Sequence, residues 1–403
     1  MLAAMNSPSA RSRLTELDSL RLIAFGLLIL YHVGMFYVSW DYHVKSPRIV
    51  PALEGWMVWL NPWRMSLLFV ISGAATALMA EGKTSGLIRS RSKRLLLPLV
   101  FGMAVIVPPQ AYLQVVEKFQ YAGSYWDFLA LYFQRYHGFC DSGHCLSLPT
   151  WNHLWFLPYL WVYTVVVLLL PKRWASHNAW AGLTSGTRLL WVPWLLFAIL
   201  RQHLLERFPS THNLTFDWYN HPLYFSMFVL GLALFGHRDD RHGAWAAAQR
   251  LRWVALIAAV AVQVLFQFWS ASYGEGNIAQ GELMALRALS ASRQWLPIVA
   301  ALGWGRHLLA HRDGPRLRWL SQAVFPFYIV HQTVIVVAGH FLAPLRWPLA
   351  LEAGTLIGIT ALACFASAWL SLRVNWLRPW MGLQSGPSRH TDCRPAVGSN
   401  TAC

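Results

Sequence analysis

The sequence predicts an all-α protein, a polytopic bundle of about ten transmembrane helices with both termini in the cytoplasm. Three observations lead there. The chain of 403 residues is 56% hydrophobic and 14% aromatic but only 12% charged, and its mean hydropathy is +0.37. Soluble domains carry about 25% charged residues. Apolar runs recur at the length of about 20 residues that crosses about 30 Å of hydrocarbon. Lys and Arg are dense in every second connection between runs, as the positive-inside rule requires.

The runs lie at about 19 to 40, 60 to 80, 94 to 116, 151 to 171, 187 to 205, 216 to 236, 250 to 273, 283 to 305, 320 to 342 and 347 to 372. The first is read as a signal anchor, too long for a cleavable apolar segment, interrupted by polar groups and followed by no small-residue cleavage site. With the N-terminus inside, the inner segments hold twenty-two Lys and Arg, among them Arg89, Arg91, Lys93, Arg94, Arg312, Arg316 and Arg318. The outer ones hold six: Lys45, Arg48, Lys118, Arg135, Arg207 and Arg346. Adding or removing one span scrambles this asymmetry. The fifth and eighth runs are the least apolar, with Arg201 and His203 near the end of one and Arg287 and Arg293 near the start of the other.

Residues 1–18 are then a cytoplasmic segment, 19–372 the membrane domain, and 373–403 a disordered cytoplasmic tail, polar and punctuated by Pro and Gly from about 383. The largest external loop, 117–150, contains YAGSYWDFLALYFQRY, patterned as an amphipathic helix lying in the interface, either a lid or a brace. Cys140 and Cys145 in CDSGHC fall where a disulfide is permitted. With His144 they make only three metal ligands, so no metal is assigned. The net charge of +16 is not gathered into a basic stripe interleaved with aromatics. Nucleic acid is therefore excluded as a partner, and the charge is read as topology facing the lipid bilayer.

The stretch from Leu17 to His32, LDSLRLIAFGLLILYH, places an acid, a cation and an imidazole in the first run. An ionisable group at mid-membrane costs about 2.5 to 3.5 kcal/mol on insertion scales and so faces the protein interior. Arg21 and His32 are eleven residues apart, about three helical turns, so they share one face about 16 Å apart along the axis. Asp18 lies one turn below Arg21 on that face. Taken singly, Asp18 and Arg21 suit an end-of-helix ion pair with a snorkelling Arg, and His32 a hydrogen bond to a neighbouring span. Further polar groups accumulate: Arg64 and Ser72 in NPWRMSLLFVISG, Arg91 and Arg94 in the inner loop before the third span, Asn152 and His153 in WNHLWFL, and Tyr328 and His331 in FPFYIVHQ. Together they suit a proton path, an ion path, or a tunnel joining an inner donor to an outer acceptor.

In combination these elements resemble the acyltransferase 3 family of integral membrane acyltransferases. The matching features are LDSLR with His32 at the family's spacing from Arg21, FVISG from Phe69 to Gly73, Arg91 and Arg94 as Arg-x-x-Arg, HLWFL from His153 to Leu157, and Tyr328 with His331. They occur in the family's order over about residues 14 to 335. RMSLLFVISG, HVKSP and NHLWFL look most like the branch associated with succinylation of osmoregulated periplasmic glucans. Other branches acetylate cell-envelope carbohydrates, and the motifs do not separate the two acyl groups.

The resemblance implies a multi-pass enzyme of the bacterial inner membrane, moving an acyl group from cytoplasmic acyl-CoA to a carbohydrate hydroxyl on the outer side. The donor is succinyl-CoA or acetyl-CoA, a substrate and not a bound cofactor. Histidine, with a reference pKa of about 6.5, suits the base that a sugar hydroxyl needs. His32 is its expected position, by resemblance to the family's essential histidine, with an acyl-histidine as the covalent variant. Arg64, Asn152, His153 or Tyr328 are candidate oxyanion donors, with Ser72 and His331 beside them. Arg91 and Arg94 are expected on the CoA phosphates, where Arg gives bidentate contacts. Arg21 serves the same tunnel and Asp18 holds it. A succinyl donor needs one more cation, from Arg64, Arg201, Arg287 or Arg293. Oligomeric state stays open, a dimer included. The competing reading is a proton-coupled transporter or exporter of a polar solute, with His32 and His331 as relay. It expects repeats with broken helices, and none is legible. A sensor or scaffold without activity is a third.

Overall fold

A computed structural model describes residues 14–80, 86–141, 144–170, 182–235, 243–272, 278–310 and 312–384. The segment 1–13, the tail beyond 384 and the inner-loop cations Lys83, Lys172, Arg173, Arg238 and Arg241 lie outside them. Helices occupy all ten predicted positions: α1 (Thr15–Tyr37), α2 (Pro51–Ala80), α3 (Leu87–Phe101), α4 (Pro108–Phe119), α5 (Tyr125–Phe133), α6 (Phe156–Leu169), α7 (Arg188–Leu204), α8 (Asn220–Phe235), α9 (Ala244–Arg250), α10 (Arg252–Ser272), α11 (Gln280–Leu309), α12 (Pro315–Leu342) and α13 (Leu349–Arg373). The one sheet among the described residues is a hairpin, Cys140–Asp141 against His144–Cys145, closed by a Cys140–Cys145 disulfide.

Six helical segments are long and apolar enough to cross a membrane: α1, α2, Asn152–Leu169, α10, α12 and α13. The pair α3 and α4, bent by 43°, makes a seventh if counted as one span. α7 and α8, at 17 and 16 residues, and α11, which carries Arg287 and Arg293, fall outside that set. α10 and α13 turn large apolar side chains such as Ile257, Phe268, Leu362 and Trp369 outward, as lipid-facing helices do.

Two predicted boundaries shift. RSKR is not a loop: α3 begins at Leu87, so Arg91 and Arg94 are helical, and Arg91 is buried with its Nη2 donating to Thr76 Oγ1 at 2.8 Å. A guanidinium that finds a partner on α2 no longer requires a solvated loop. The break instead falls at a π-turn, Gly102–Ile106, between Pro98 and Pro108, both of which withhold a helical N–H. Of the expected tail, residues 379–381 form a 3-10 turn against α3, with Trp380 and Phe101 rings 6.0 Å apart and Met381 buried. The helix expected within 117–150 is α5, started by a capping box in which Ser124 and Asp127 exchange bonds.

α1 runs against α2, α11 and α12. Its last turn is closed from outside the helix. Lys45 donates to the carbonyls of Met35, Val38 and Trp40, while the N–H groups of Ser46 and Val50 bond Phe36 O and Tyr37 O. This satisfies carbonyls that a helix end leaves free. Lys45 is therefore a cap and not merely a loop charge. α2 and α8 touch backbone to backbone: a Cβ on Gly73 would lie 1.9 Å from Phe228 O, and one on Gly231 2.0 Å from Val70 O. Small residues at such crossings permit the close approach that packs membrane helices.

Replacing Gly73 by Leu should push α2 from α8 and cost about 1 to 3 kcal/mol, the range for overpacked cores. A melt of the detergent-solubilised protein should show a lower Tm. An unchanged Tm would mean that the two helices are not held at this contact.

Candidate active site

His32 and His331 meet between α1 and α12. His32 Nδ1 and His331 Nε2 are 3.1 Å apart, and the other nitrogen of His331, Nδ1, faces Tyr328 O at 2.8 Å and Phe327 O at 3.2 Å. Carbonyls only accept, so His331 Nδ1 carries the proton and its Nε2 the lone pair. His32 Nδ1–H then donates to His331, and its Nε2 lone pair is left without a partner among the described residues. The orientation and tautomer of one imidazole are thus fixed by a second group, a geometry compatible with activating a nucleophile.

That imidazole lines a cavity of about 110 Å3 together with Asn61, Arg64, His153, His212 and Tyr328. Arg64 packs its guanidinium 3.3 Å from the centroid of the Tyr31 ring, and its Nη1 donates to Asn61 Oδ1 at 3.0 Å. Its Nε is buried and has no hydrogen-bond partner among the described residues. The other candidate oxyanion donors are spent. His153 Nε2 donates to Ile329 O at 3.0 Å and its Nδ1 faces Gln110 Nε2 at 3.4 Å. Tyr328 donates its hydroxyl to His153 O at 2.6 Å. Asn152 stands outside the cavity wall and bonds Gln110 Oε1 at 3.3 Å. Arg64 thus brings to the cavity a donor, Nε, that has no partner among the described residues.

Ser72 is also outside the cavity, two turns of α2 beyond Met65, its carbonyl accepting from Thr76 at 2.8 Å. Of the four cations expected for a second carboxylate, Arg64 alone lines the cavity. Arg201 bonds Gln294, Arg287 pairs with Glu206, and Arg293 bonds Gln263 and Val58 O. At the far end of α1, Arg21 donates to Asp18 at 3.2 Å and to Ser321 O and Oγ at 3.0 and 2.7 Å, pinning α1 to α12. Arg91 and Arg94 lie within electrostatic reach of Arg21, so three guanidiniums gather about three turns below His32.

Several site residues were not legible as such. Gln110, in PPQAY, is a buried hub that also bonds Thr333 at 2.5 Å and accepts from Gln332 at 3.2 Å. Gln332 in turn reaches His43 Nε2 at 2.9 Å. Glutamines inside apolar runs were the available signal. His212, Asn61 and Tyr224 gave none. The loop before α8 brings His212 in, at a φ of 53°, with its ring 4.1 Å from that of Trp155 and its carbonyl accepting from Trp151. Burial, against the pull of Asp217 and with the help of Arg64, holds the His212 pKa below its ordinary value.

The cavity thus sets an oriented imidazole beside a guanidinium with one unpartnered donor, within a bundle of apolar helices. Residues 14–372 match the acyltransferase domain of the acyltransferase 3 family, and the chain belongs to that family and is an acyltransferase. It is similar to glucans biosynthesis protein C of Salmonella gallinarum, 24% identical over 341 residues, which is 81% of this chain and 84% of the relative. The protein of the same name from Salmonella paratyphi B is 23% identical over the same coverage. No solved structure matches.

The loop carrying His212 is anchored by Asp217, which accepts from Tyr159 at 2.5 Å, Thr211 N at 2.9 Å and Asn220. Burial alone would raise its pKa. The bonds from Tyr159, Thr211 and Asn220 outweigh it and hold the carboxylate below its ordinary value. A depressed pKa stabilises the fold above the ordinary carboxylate range, and the contribution is lost as pH falls through the folded value. Asp217→Ala should cost about 1 to 3 kcal/mol locally, since it orphans buried donors. Protease cutting within 205–219 should become faster at neutral pH. Equal cutting rates in variant and parent would show that the carboxylate does not hold the loop.

Proposed function

We propose that the protein moves a succinyl or acetyl group from cytoplasmic acyl-CoA to a hydroxyl of a cell-envelope carbohydrate, a periplasmic glucan being the favoured acceptor. The observation that carries this reading is the unpartnered Nε2 of His32, held by His331 at the wall of a cavity that also presents Arg64. The relatives' name, glucans biosynthesis protein C, supports the acceptor class. In this reading the chain has ten spans, lies in the inner membrane and keeps both termini in the cytoplasm. The alternating Lys and Arg density and the ten helical positions support that topology.

The reaction follows from the geometry. His32 Nε2 takes the proton of the sugar hydroxyl as its oxygen attacks the thioester carbonyl. Arg64 stabilises the oxyanion that forms, in a site with little water, where such a donor is worth several kcal/mol. The C–S bond then breaks, the ester is released, and the CoA sulfur receives the proton from His32. His331 is a positioning residue: it presents Nε2 as an acceptor, which fixes the His32 tautomer. Arg21, Arg91 and Arg94, about 16 Å down α1 from His32 by the helical rise, take the CoA phosphates. The acyl arm then extends along α1 to the cavity.

The test is CoA release and label transfer from radiolabelled succinyl-CoA and acetyl-CoA to a periplasmic glycan extract, using purified protein in nanodiscs. One donor should label the glycan, and His32→Ala should abolish transfer while the protein still inserts and melts normally. Transfer at parental rate by that variant overturns the mechanism. Arg91→Ala with Arg94→Ala should raise the KM for acyl-CoA about tenfold or more, with a smaller effect on kcat, if they bind phosphate. An unchanged KM would reduce them to topology signals.

A further inference from the structure

The first turns of α2 carry a second recess, on the side of the helix opposite the cavity. It holds about 360 Å3 between α2 and α10, lined by Gly55, Trp56, Trp59, Gln263 and Gln267 among others. That volume lies in the range of small-molecule sites, about 300 to 1,000 Å3. At helical spacing Trp56 and Trp59 share one face of α2, while Asn61, Arg64 and Met65 of the cavity lie on the other.

The polar wall of this recess is built by a chain of constraints that begins with a proline. Pro62 has no N–H, so Val58 O, four residues earlier, lacks its helical donor. Arg293 from α11 fills it, Nη2 to Val58 O at 2.6 Å, and its Nε donates to Gln263 Oε1 at 2.7 Å. The guanidinium is further held 3.6 Å from the centroid of the Phe266 ring. With Oε1 taken, the Gln263 amide cannot flip. Its Nε2 has no partner among the described residues, although the residue is only 6% exposed. An orphaned amide donor in such a place is costly unless a ligand accepts from it. One turn along α10, Gln267 Nε2 donates to Gly55 O at 3.3 Å, which leaves its Oε1 as an acceptor. Trp56 and Trp59 stand beside these amides with ring centroids 5.9 Å apart, and Trp56 is 66% exposed.

A donor and an acceptor one turn apart match neighbouring hydroxyls, which each donate and accept. Two indoles match the apolar C–H faces of a pyranose, as amphipathic aromatic rings do at wet interfaces. No charged side chain lines the recess, and two arms of the Arg293 fork are committed to Val58 and Gln263, so an anionic headgroup has no cation to meet. We propose that the recess is a binding subsite for a neutral carbohydrate. It holds a sugar of a multi-residue acceptor away from the hydroxyl that reacts. Trp56 and Arg64 are eight residues apart on α2, about 12 Å along the axis, and on different faces, so the path between them is longer than this rise. A glycan of several sugars, and not a single hexose, spans from one to the other. The assignment of this sugar to an acceptor rests on the acyl-transfer reading above; the binding chemistry does not.

The experiment separates the two. The full chain carrying His32→Ala, in nanodiscs, is titrated calorimetrically with glucose and with β-linked gluco-oligosaccharides of increasing length. Trp56→Ala and Gln267→Leu are added in the same background; Trp56 is exposed and Gln267 bonds only Gly55 O, so neither should prevent folding. The expected result is affinity that rises with length and falls about tenfold for the longer oligomer in each variant, the effect of truncating one binding hot spot. In the otherwise parental chain, Trp56→Ala should remove the KM advantage of the oligomer over glucose. Oligomer binding or transfer indifferent to both substitutions overturns the subsite while leaving acyl transfer standing. Trp56-dependent binding without any transfer keeps the subsite and overturns the functional reading. If Trp56→Ala alters only the phospholipid that co-purifies, the recess is a lipid site and the proposal fails.

Discussion

The seam between α1 and α12 is the contact on which the rest depends. It is fastened at one end by Arg21 on Ser321 and near the other by His32 on His331, with Gly339 letting α12 close onto Phe36, where a Cβ would lie 2.9 Å from the ring. In an apolar surrounding no water competes for these bonds, and any partner left out would be costly. Rotating α1 by one residue would move Arg21 and His32 off the seam together, because they share a face. The spacing of eleven residues is thus a constraint on how α1 can sit.

Most polar groups in this bundle are used to close the protein upon itself. Lys45 caps α1, Arg293 answers the carbonyl that Pro62 frees, and Gln110 joins α4 to the WNHLWFL segment and α12. Bonds of this kind make the scaffold rigid, and they also reveal function by subtraction. His153 and Tyr328 line the cavity, yet their hydrogens are spent on backbone carbonyls. Among what stays open are the His32 Nε2 lone pair and Arg64 Nε. A base and a cation at one small cavity are the minimum that acyl transfer needs, one to take a proton and one to hold developing negative charge.

The charges are arranged along the same helix. Three guanidiniums gather near the start of α1, two of them held by bonds between helices: Arg21 on Ser321 of α12 and Arg91 on Thr76 of α2, with Arg94 one turn further along α3. Clustered guanidiniums are the chemistry that phosphate accepts from in bidentate fashion. The outer recess differs in kind, being uncharged and aromatic.

The sequence by itself determined the helices and their membrane setting. Apolar runs of sufficient length leave the backbone no way to satisfy its polar groups in lipid except by helix formation, so the ten positions could be read without any contact map. It also marked His32, Arg64, His153, Tyr328 and His331 as a group, since ionisable and hydroxyl side chains stand out in such runs. The tertiary structure decided which of them keep a free atom, because hydrogen-bond partners come from helices hundreds of residues apart: His32 with His331, His153 with Ile329. It moved Arg91 and Arg94 from a loop into α3 by supplying Thr76 as a partner. It recruited His212 and Asn61, whose residue types carry no signal until a fold brings them to one place, and made a hub of Gln110. Periodicity and hydropathy are local and were legible; the choice of partner is a matter of packing and was not.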